Sequence, residues 1–75
     1  MKLGEKVLKC REFLGLTQEE LAKKSNLTPA AICQIEKGSR IPNFASAIKI
    51  IVAIGIKPDK FLEDVDDYGK EKNDD

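Results

Sequence analysis

At 75 residues the chain can form one domain with a small core, and it leaves little room for a deep catalytic cleft. Its 13 lysine and arginine residues balance its 13 aspartate and glutamate residues, but residues 1–60 carry a surplus of five positive charges and residues 61–75 a surplus of five negative ones. A basic body of this kind suits an anionic partner. The sequence has no run of eighteen apolar residues and no signal-peptide pattern, so we expect a soluble, cytoplasmic protein without a membrane partner.

Two helices are predicted in the first third of the chain. Apolar residues recur at steps of three and four over Leu3–Leu14, which is the spacing of one helical face, and Gly15 follows as a C-terminal stop. Thr17 and Glu20 form a capping box, in which the threonine hydroxyl accepts from a backbone amide three residues on and the glutamate accepts from the threonine amide. The second helix is therefore predicted over Gln18–Lys24.

A tight turn separates the second helix from a third. Thr28 is a typical N-cap and Pro29 suits the first helical position, so the third helix is predicted to begin there. It should end at Gly38, because glycine readily adopts the left-handed conformation of a helix C-cap. Ser39–Pro42 then form a loop.

A fourth and a fifth helix are predicted after this loop. Asn43 can cap the fourth helix and Gly55 can close it. The residues of its inward stripe are predicted to be Phe44, Ala47, Ile51 and Ile54. Ile48 and Val52 lie outside that stripe, which gives this helix a second apolar face. Pro58 begins the short fifth helix.

The predicted organisation is a single all-α domain of five helices over residues 1–65. No strand-like alternation and no internal repeat occurs in the sequence. Residues 66–75 are acidic and contain almost no apolar side chain, so they are predicted to form a disordered tail.

Catalytic and metal-binding patterns are missing from the sequence. Cys10 and Cys33 form no CxxC pair and the chain has no histidine, which excludes most zinc patterns and a Cys–His nucleophile pair. The carboxylates near the C-terminus are Asp64, Asp66, Asp67, Asp74 and Asp75. A flexible tail cannot hold them in the geometry that proton transfer requires. We therefore expect reduced thiols, no enzyme activity, no cofactor and no small-molecule substrate.

Three segments together resemble the lambda-repressor-like (Xre) helix-turn-helix family. They are GLTQEELA at residues 15–22, LTPAAI at residues 27–32 and IEKG at residues 35–38, with Pro42 following. The likeness extends from about Val7 to Leu62. In this family the second helix of the motif enters the major groove. The resemblance thus implies a sequence-specific transcription regulator, a repressor, whose partner is double-stranded DNA.

The resemblance also implies roles for individual residues. Gln18 and Thr28 match positions that face phosphate, and Thr28 also caps the third helix. The groove-facing candidates are Pro29, Ala30, Cys33 and Gln34. Only Gln34 among them can make a paired contact with adenine, and Ala30 or Ala31 could pack on a thymine methyl, so base readout should rest on few contacts and on DNA shape. The phosphate contacts expected around the end of the third helix are Lys37, Arg40 and Asn43.

A further implication of the resemblance is an ion pair between Arg11 and Glu36. In this family an arginine at that place in the first helix meets a glutamate at the end of the third, in a partly buried pair. A guanidinium–carboxylate fork would hold the third helix against the first and would not contact DNA.

A two-fold homodimer on a palindromic operator is expected, because the fourth helix has a surplus apolar face and further apolar residues follow it. The candidate interface residues are Ile48, Val52, Phe61 and Val65. An alternative that the sequence leaves open is that Phe61 and Leu62 close the core of the monomer.

The alternative function is a protein-interaction or antitoxin-like adaptor module that uses the same fold and binds a partner through the fourth and fifth helices. Pro29 and Ala30 favour it, since neither can read a base edge by hydrogen bonding. Lys37 and Arg40 beside Gln34 favour DNA instead, because an adaptor would not need them together.

Overall fold

The computed structural model describes residues 1–68, which form five helices without a strand between them. The helices are α1 (Leu3–Phe13), α2 (Gln18–Ser25), α3 (Pro29–Lys37), α4 (Phe44–Ile54) and α5 (Pro58–Leu62). The predicted all-α fold of five helices is confirmed. None of the described helices is long and apolar enough to cross a membrane.

Side chains that bind free backbone groups set the helix boundaries. The Glu20 backbone N–H donates to the Thr17 hydroxyl at 3.0 Å, and the Thr17 backbone N–H donates to the Glu20 carboxylate at 2.8 Å, which completes the capping box of α2. Thr28 and Asn43 accept in the same way at the starts of α3 and α4, at 3.1 and 2.8 Å. Gly38 ends α3 with a φ of 83°, in the left-handed region that favours glycine.

The core forms around α2, which packs against both α3 and α4. α1 packs on α3 and α4, and α5 covers the core beside α4. The largest fully buried side chains are Phe61, Leu21, Ile32, Ile50, Ile51, Val7 and Val65. Burial of one such side chain stabilises the fold by about 1.5–3 kcal/mol, and Ile32 is the member of this cluster that attaches α3 to the core.

Gly4 allows the backbones of α1 and α3 to touch. A Cβ atom at this position would lie 2.0 Å from the carbonyl oxygen of Ile35, which is far inside van der Waals contact. Glycine inside a helix costs roughly 0.5–1 kcal/mol relative to alanine. The close approach of the two helices, and not helix propensity, therefore explains the glycine.

Residues 64–68, here called the C-terminal strap, run beside the start of α1. The Met1 ammonium group donates to the Asp66 carboxylate at 2.7 Å, and the Leu3 backbone N–H donates to the Asp67 carboxylate at 2.8 Å. The second bond places a carboxylate at the N-terminus of α1, where the helix dipole favours negative charge.

The strap extends the packed domain beyond the boundary predicted at residue 65. Tyr68 packs against the hydrophobic core, and its hydroxyl donates to the carbonyl oxygen of Pro42 at 2.7 Å. Residues 66–68 of the predicted tail thus lie against the body of the domain. The remainder of that tail, residues 69–75, lies outside the described residues.

Lys6 joins α1 to the end of α5. Its Nζ donates to the carbonyl oxygen of Phe61 and to the carboxylate of Asp64, both at 2.6 Å, and lies 4.7 Å from the centre of the Phe61 ring. The hydrogen bond from Lys6 lowers the pKa of Asp64 from its ordinary value. One ammonium group therefore binds a carbonyl in the last turn of α5 and a carboxylate at the start of the strap.

Two phenylalanines do not lie where they were predicted. Phe44 was predicted in the inward stripe of α4, but its side chain is 64% exposed. Phe61 and Val65 were predicted at a dimer interface, but both are fully buried in the monomer, where α5 and the strap turn them onto the core. These two interface predictions are wrong, and the alternative in which Phe61 closes the core is correct.

Candidate nucleic-acid interface

α2 and α3 are joined by three residues, and this short turn sets the direction of α3 relative to α2. Asn26 ends α2 in the left-handed conformation, with φ 59° and ψ 41°, and the Leu27 backbone N–H donates to the carbonyl oxygen of Ala22 at 2.8 Å. Thr28 then caps α3. Two helices joined in this way form the unit that can present its second helix to a DNA groove.

α3 buries one face and exposes the other. The buried residues are Ala31, Ile32 and Ile35, the exposed ones are Pro29, Ala30 and Gln34, and Cys33 is half-buried. The face predicted to meet DNA is therefore the one that reaches solvent. Because Ala31 is buried, Ala30 is the alanine on the outward face that can reach a thymine methyl.

Arg11 of α1 and Glu36 of α3 form a two-pronged ion pair, here called the fork, between the two helices. Arg11 Nε donates to Glu36 Oε2 at 2.7 Å, Nη2 donates to Glu36 Oε1 at 3.1 Å, and Nη1 donates to the carbonyl oxygen of Leu16 at 2.7 Å. The two side chains are only 12% and 4% exposed. The hydrogen bonds to Glu36 raise the pKa of Arg11, so the guanidinium keeps its charge at all ordinary pH values. This geometry is the one expected from the sequence, and it joins α1 to α3.

Gln18 adds a third member to this fork. Its Nε2 donates to Glu36 Oε1 at 2.9 Å, so the first residue of α2 is bound to the last turn of α3. The sequence placed Gln18 against a phosphate and gave no sign of this contact, because the two residues are 18 positions apart. An amide nitrogen carries two N–H donors, so the second one remains suited to a phosphate oxygen.

The end of α3 and the α3–α4 loop, Gly38–Asn43, hold the residues expected to meet phosphate. Lys37, at the end of α3, and Arg40 are both exposed. Arg40 Nη1 lies 3.5 Å from Gln34 Oε1, at the outer limit of a hydrogen bond. Asn43 is also exposed, and its side-chain oxygen accepts from a backbone N–H in the first turn of α4. The loop thus places these groups beside the outward face of α3.

A cleft of about 390 Å³ lies between the start of α1, the end of α3, the α3–α4 loop and the strap. Lys37 and Arg40 line it together with Lys2, which precedes α1. Sequence reasoning did not select Lys2, because no local pattern relates it to residues 35 or more positions away. The cleft is also lined by three carboxylates, those of Glu5, Glu36 and Asp67. Arg11 binds Glu36, and the Leu3 backbone N–H binds Asp67.

α4 exposes an apolar face on the side away from the core. Val52 is 60% exposed, Ile48 is half-buried, and both line a shallow groove with Lys24 and Lys49. Phe44 lies one helical turn before Ile48, so its exposed ring continues the same face. Of the four predicted interface residues, Ile48 and Val52 remain available at the surface.

Residues that could hold a metal ion do not come together in the described part of the chain. No group of three or more His, Cys, Asp or Glu side chains occurs there. Both cysteines are free and half-buried. Desolvation by burial raises the pKa of the Cys10 thiol, which keeps it protonated and unreactive as a nucleophile.

Comparison with known proteins places this geometry in a family. The model of the helix-turn-helix family matches residues 7–61. Endothelial differentiation-related factor 1 of Rattus norvegicus is 40% identical over 57 residues, which cover 76% of this chain and 38% of that protein. The chain therefore spans about two fifths of the length of this relative. An uncharacterized HTH-type transcriptional regulator of Methanocaldococcus jannaschii is 40% identical over 55 residues, which cover 73% of this chain and 77% of that protein.

A solved structure shares both the fold and part of the sequence. The restriction-modification controller protein C.Esp1396I, whose structure is a tetramer in complex with its natural 35 base-pair operator, superposes with a TM-score of 0.76. The identity is 34%, and the match covers 81% of this chain and 80% of that one. Together with the match over residues 7–61, these likenesses show that the chain belongs to the lambda-repressor-like branch of the helix-turn-helix family.

Proposed function

We propose that this protein is a sequence-specific DNA-binding transcription regulator, that it represses, and that it has no enzyme activity. The observation that carries the proposal is the outward face of α3, which reaches solvent and is held from behind by the fork of Arg11, Glu36 and Gln18. A helix held in this way can enter a major groove in one orientation, which base recognition requires. The operator complex of C.Esp1396I supports the same use of this fold.

Base recognition is assigned to few residues. Gln34 is exposed and carries an amide that matches the N6 and N7 edge of adenine, and Ala30 offers a methyl group to thymine. Pro29 and Cys33 can only contact a base edge through apolar or weakly polar atoms. A site read by so few groups should depend on DNA shape for the rest of its specificity.

Phosphate contacts are assigned to both ends of the reading helix. Gln18 and Thr28 lie at the starts of α2 and α3, where free backbone N–H groups favour an anion. The groups around the end of α3 are Lys2, Lys37, Arg40 and Asn43. Lys2 joins this set because it lines the same cleft as Lys37 and Arg40. These contacts fix the register of α3 and carry no sequence information.

Assembly as a two-fold dimer is assigned to the exposed face of α4. Val52 and the half-buried Ile48 lie on it, and the exposed ring of Phe44 replaces Phe61 and Val65 as its aromatic component. A dimer would place two copies of α3 about one DNA turn apart. Sedimentation of the wild type and of Val52→Glu tests this assignment, because a buried glutamate in the interface should leave only monomer. Monomer in the wild type at high concentration, with and without palindromic DNA, would contradict it.

An adaptor that binds another protein is the second candidate, and the exposed Phe44 and Val52 favour it, since an apolar surface of this kind also suits a protein partner. The two functions differ in what happens to α3. An adaptor would use the face of α4 and leave Gln34 and Arg40 without a role.

The deciding experiment is a selection of bound sites from a random DNA pool, followed by titrations on the best site and on a scrambled one at several salt concentrations. We expect one enriched sequence, a lower affinity for the scrambled duplex, and an affinity for both that falls as salt rises. No enrichment together with no binding of any duplex at low salt would overturn DNA binding and support the adaptor.

A further inference from the structure

The α3–α4 loop has little attachment of its own. Ser39 is bound at one end, where its backbone N–H and its hydroxyl both donate to the carbonyl oxygen of Gln34, at 3.0 and 3.2 Å. Asn43 is fixed at the other end as the cap of α4. Between them, Arg40 and Ile41 are exposed, Ile41 to 72%. Of the residues between them only Pro42 is buried, so a contact at Pro42 is what can hold the middle of the loop in one conformation.

The strap supplies that contact through Tyr68. Its hydroxyl donates to the carbonyl oxygen of Pro42 at 2.7 Å, across 26 positions of sequence, and its ring packs against the core. Desolvation by burial raises the pKa of Tyr68, so the hydroxyl keeps the proton that it donates throughout the neutral range. Among the described residues, this bond is the one that joins the middle of the loop to a distant part of the chain.

The strap is itself held firmly at its other end. Asp67, one residue before Tyr68, accepts from the Leu3 backbone N–H, and the Asp66 backbone N–H donates to the carbonyl oxygen of Met1 at 2.9 Å. A bond from a fixed strap restrains the loop, whereas a bond from a free tail would move with it. The start of α1, the strap and the loop therefore form one connected unit around the cleft that Lys2, Lys37 and Arg40 line.

We infer that Tyr68 is a positioning residue for DNA binding, which holds the α3–α4 loop so that Arg40 meets a phosphate. The inference rests on the proposed function, and it extends the binding machinery to a residue outside the helix-turn-helix that contacts no DNA itself. A restrained loop loses less conformational freedom when the complex forms, so the hydroxyl of Tyr68 contributes to affinity through Arg40.

The test is Tyr68→Phe, which removes the hydroxyl and keeps the ring. We expect the midpoint of urea unfolding to fall by no more than the loss of one hydrogen bond explains, so that the variant stays folded in the binding assay. Affinity for random duplex at low salt should fall about fivefold, and the salt slope should lose up to about one unit per monomer. In the background of Arg40→Ala, the same change should have no further effect on affinity, because the residue that the loop presents is already missing. Ser25→Ala is the matched control, since its hydroxyl also binds backbone carbonyls but lies within α2. It should leave the salt slope unchanged.

A second measurement does not depend on DNA. The backbone N–H groups of Ser39 and Ser46 are hydrogen-bonded at the two ends of the loop. Their hydrogen exchange should become faster in Tyr68→Phe and stay unchanged in Ser25→Ala, because only the former releases the loop. Wild-type affinity and slope in Tyr68→Phe, or a loss that adds in full to that of Arg40→Ala, would overturn the inference and leave DNA binding standing. Failure of the wild type to bind any duplex would overturn the proposed function and, with it, the role of Tyr68 in binding.

Discussion

The outward faces of α3 and α4 differ in both chemistry and support. α3 exposes small or polar residues, Pro29, Ala30 and Gln34, and three side chains join its last turn to α1 and α2. α4 exposes large apolar side chains, Phe44 and Val52, and among the described residues its outer face receives no comparable polar support.

This difference separates two kinds of recognition within one small domain. Reading a base edge requires a side chain to be placed within the narrow geometry of a hydrogen bond, so the helix behind it must be held rigidly. Association through apolar surface depends mainly on the area removed from water and tolerates small shifts. The fork of Arg11, Glu36 and Gln18 supplies the rigid support that base reading by α3 requires. The exposed ring of Phe44 supplies the apolar area that association through α4 requires.

The largest expected effect is a difference in stability between alanine variants of Phe61, on α5, and Phe44, on α4. Phe61→Ala opens a cavity in the core and should lower the free energy of unfolding by about 3–5 kcal/mol, whereas Phe44→Ala should change it by less than about 0.5 kcal/mol. Urea unfolding of the two variants measures both values. If Phe44→Ala proved as destabilising as Phe61→Ala, Phe44 would be part of the core, and α4 would have no exposed apolar face to set against α3.

Glu36→Gln should have the next largest effect, because it leaves the guanidinium of Arg11 without its counter-charge. Both side chains are nearly buried, so the loss should be about 3 kcal/mol of unfolding free energy, and the affinity for the preferred DNA site should fall as α3 loosens. Glu19→Gln, an exposed glutamate at the start of α2, is the matched control and should be close to neutral. Unfolding and DNA titration of both variants test the fork, and equal stability of the two would show that it does not support α3.

Gln34→Ala tests whether the outward face of α3 recognises a base. It should cost about 1–3 kcal/mol on the preferred site and flatten discrimination at one base pair per half-site, with affinity for scrambled DNA nearly intact. Arg40→Ala should instead weaken all duplexes by a similar factor and reduce the salt slope by about one unit per monomer. Competition titrations against single-base variants of the site give both results. A preference that follows Ala30 or Cys33 and not Gln34 would reassign the reading residue.

The smallest effect concerns Lys6 and Asp64, which join α1 to the strap. The pKa of Asp64 is lowered in the folded state, so its carboxylate stabilises the fold above its unfolded pKa and this contribution is lost as the pH falls through the folded value. Asp64→Asn should therefore lower the urea midpoint slightly at pH 7, and the difference should shrink as the pH falls below the ordinary pKa of an aspartate. A gap between the two proteins that persisted at low pH would mean that charge on Asp64 is not what holds the strap.

Local signals in the sequence predict the helix boundaries. The caps at Thr17, Thr28 and Asn43 and the C-terminal glycine at Gly38 act within four residues of their own positions, so the sequence alone predicts them. Arg11 and Glu36 are 25 positions apart, and the family resemblance, not any local pattern, brought them together.

Features that depend on tertiary packing could not be predicted from local sequence patterns. The core contains the predicted stripe of α4, since Ala47, Ile51 and Ile54 are buried, but helical spacing does not show that the first residue of the helix, Phe44, is exposed. Phe61 lies on α5, and packing decides which side of that short helix faces the core. The acidic residues after α5 were interpreted as a solvated tail, because their partners, Met1, Leu3 and Lys6, lie more than fifty positions earlier. No periodicity could reveal those contacts.

The strap also sets an order of events in folding. The bond between the Leu3 N–H and Asp67 joins residues 64 positions apart, whereas the capping box of α2 joins residues three apart. Closing the longer loop costs more chain entropy, so the strap should dock after the helices have packed and should not be formed in the folding transition state. Substitutions at Asp67 or Tyr68 should then accelerate unfolding and leave the folding rate nearly unchanged. How long a folded molecule survives would depend on a segment that contributes little to how quickly it forms.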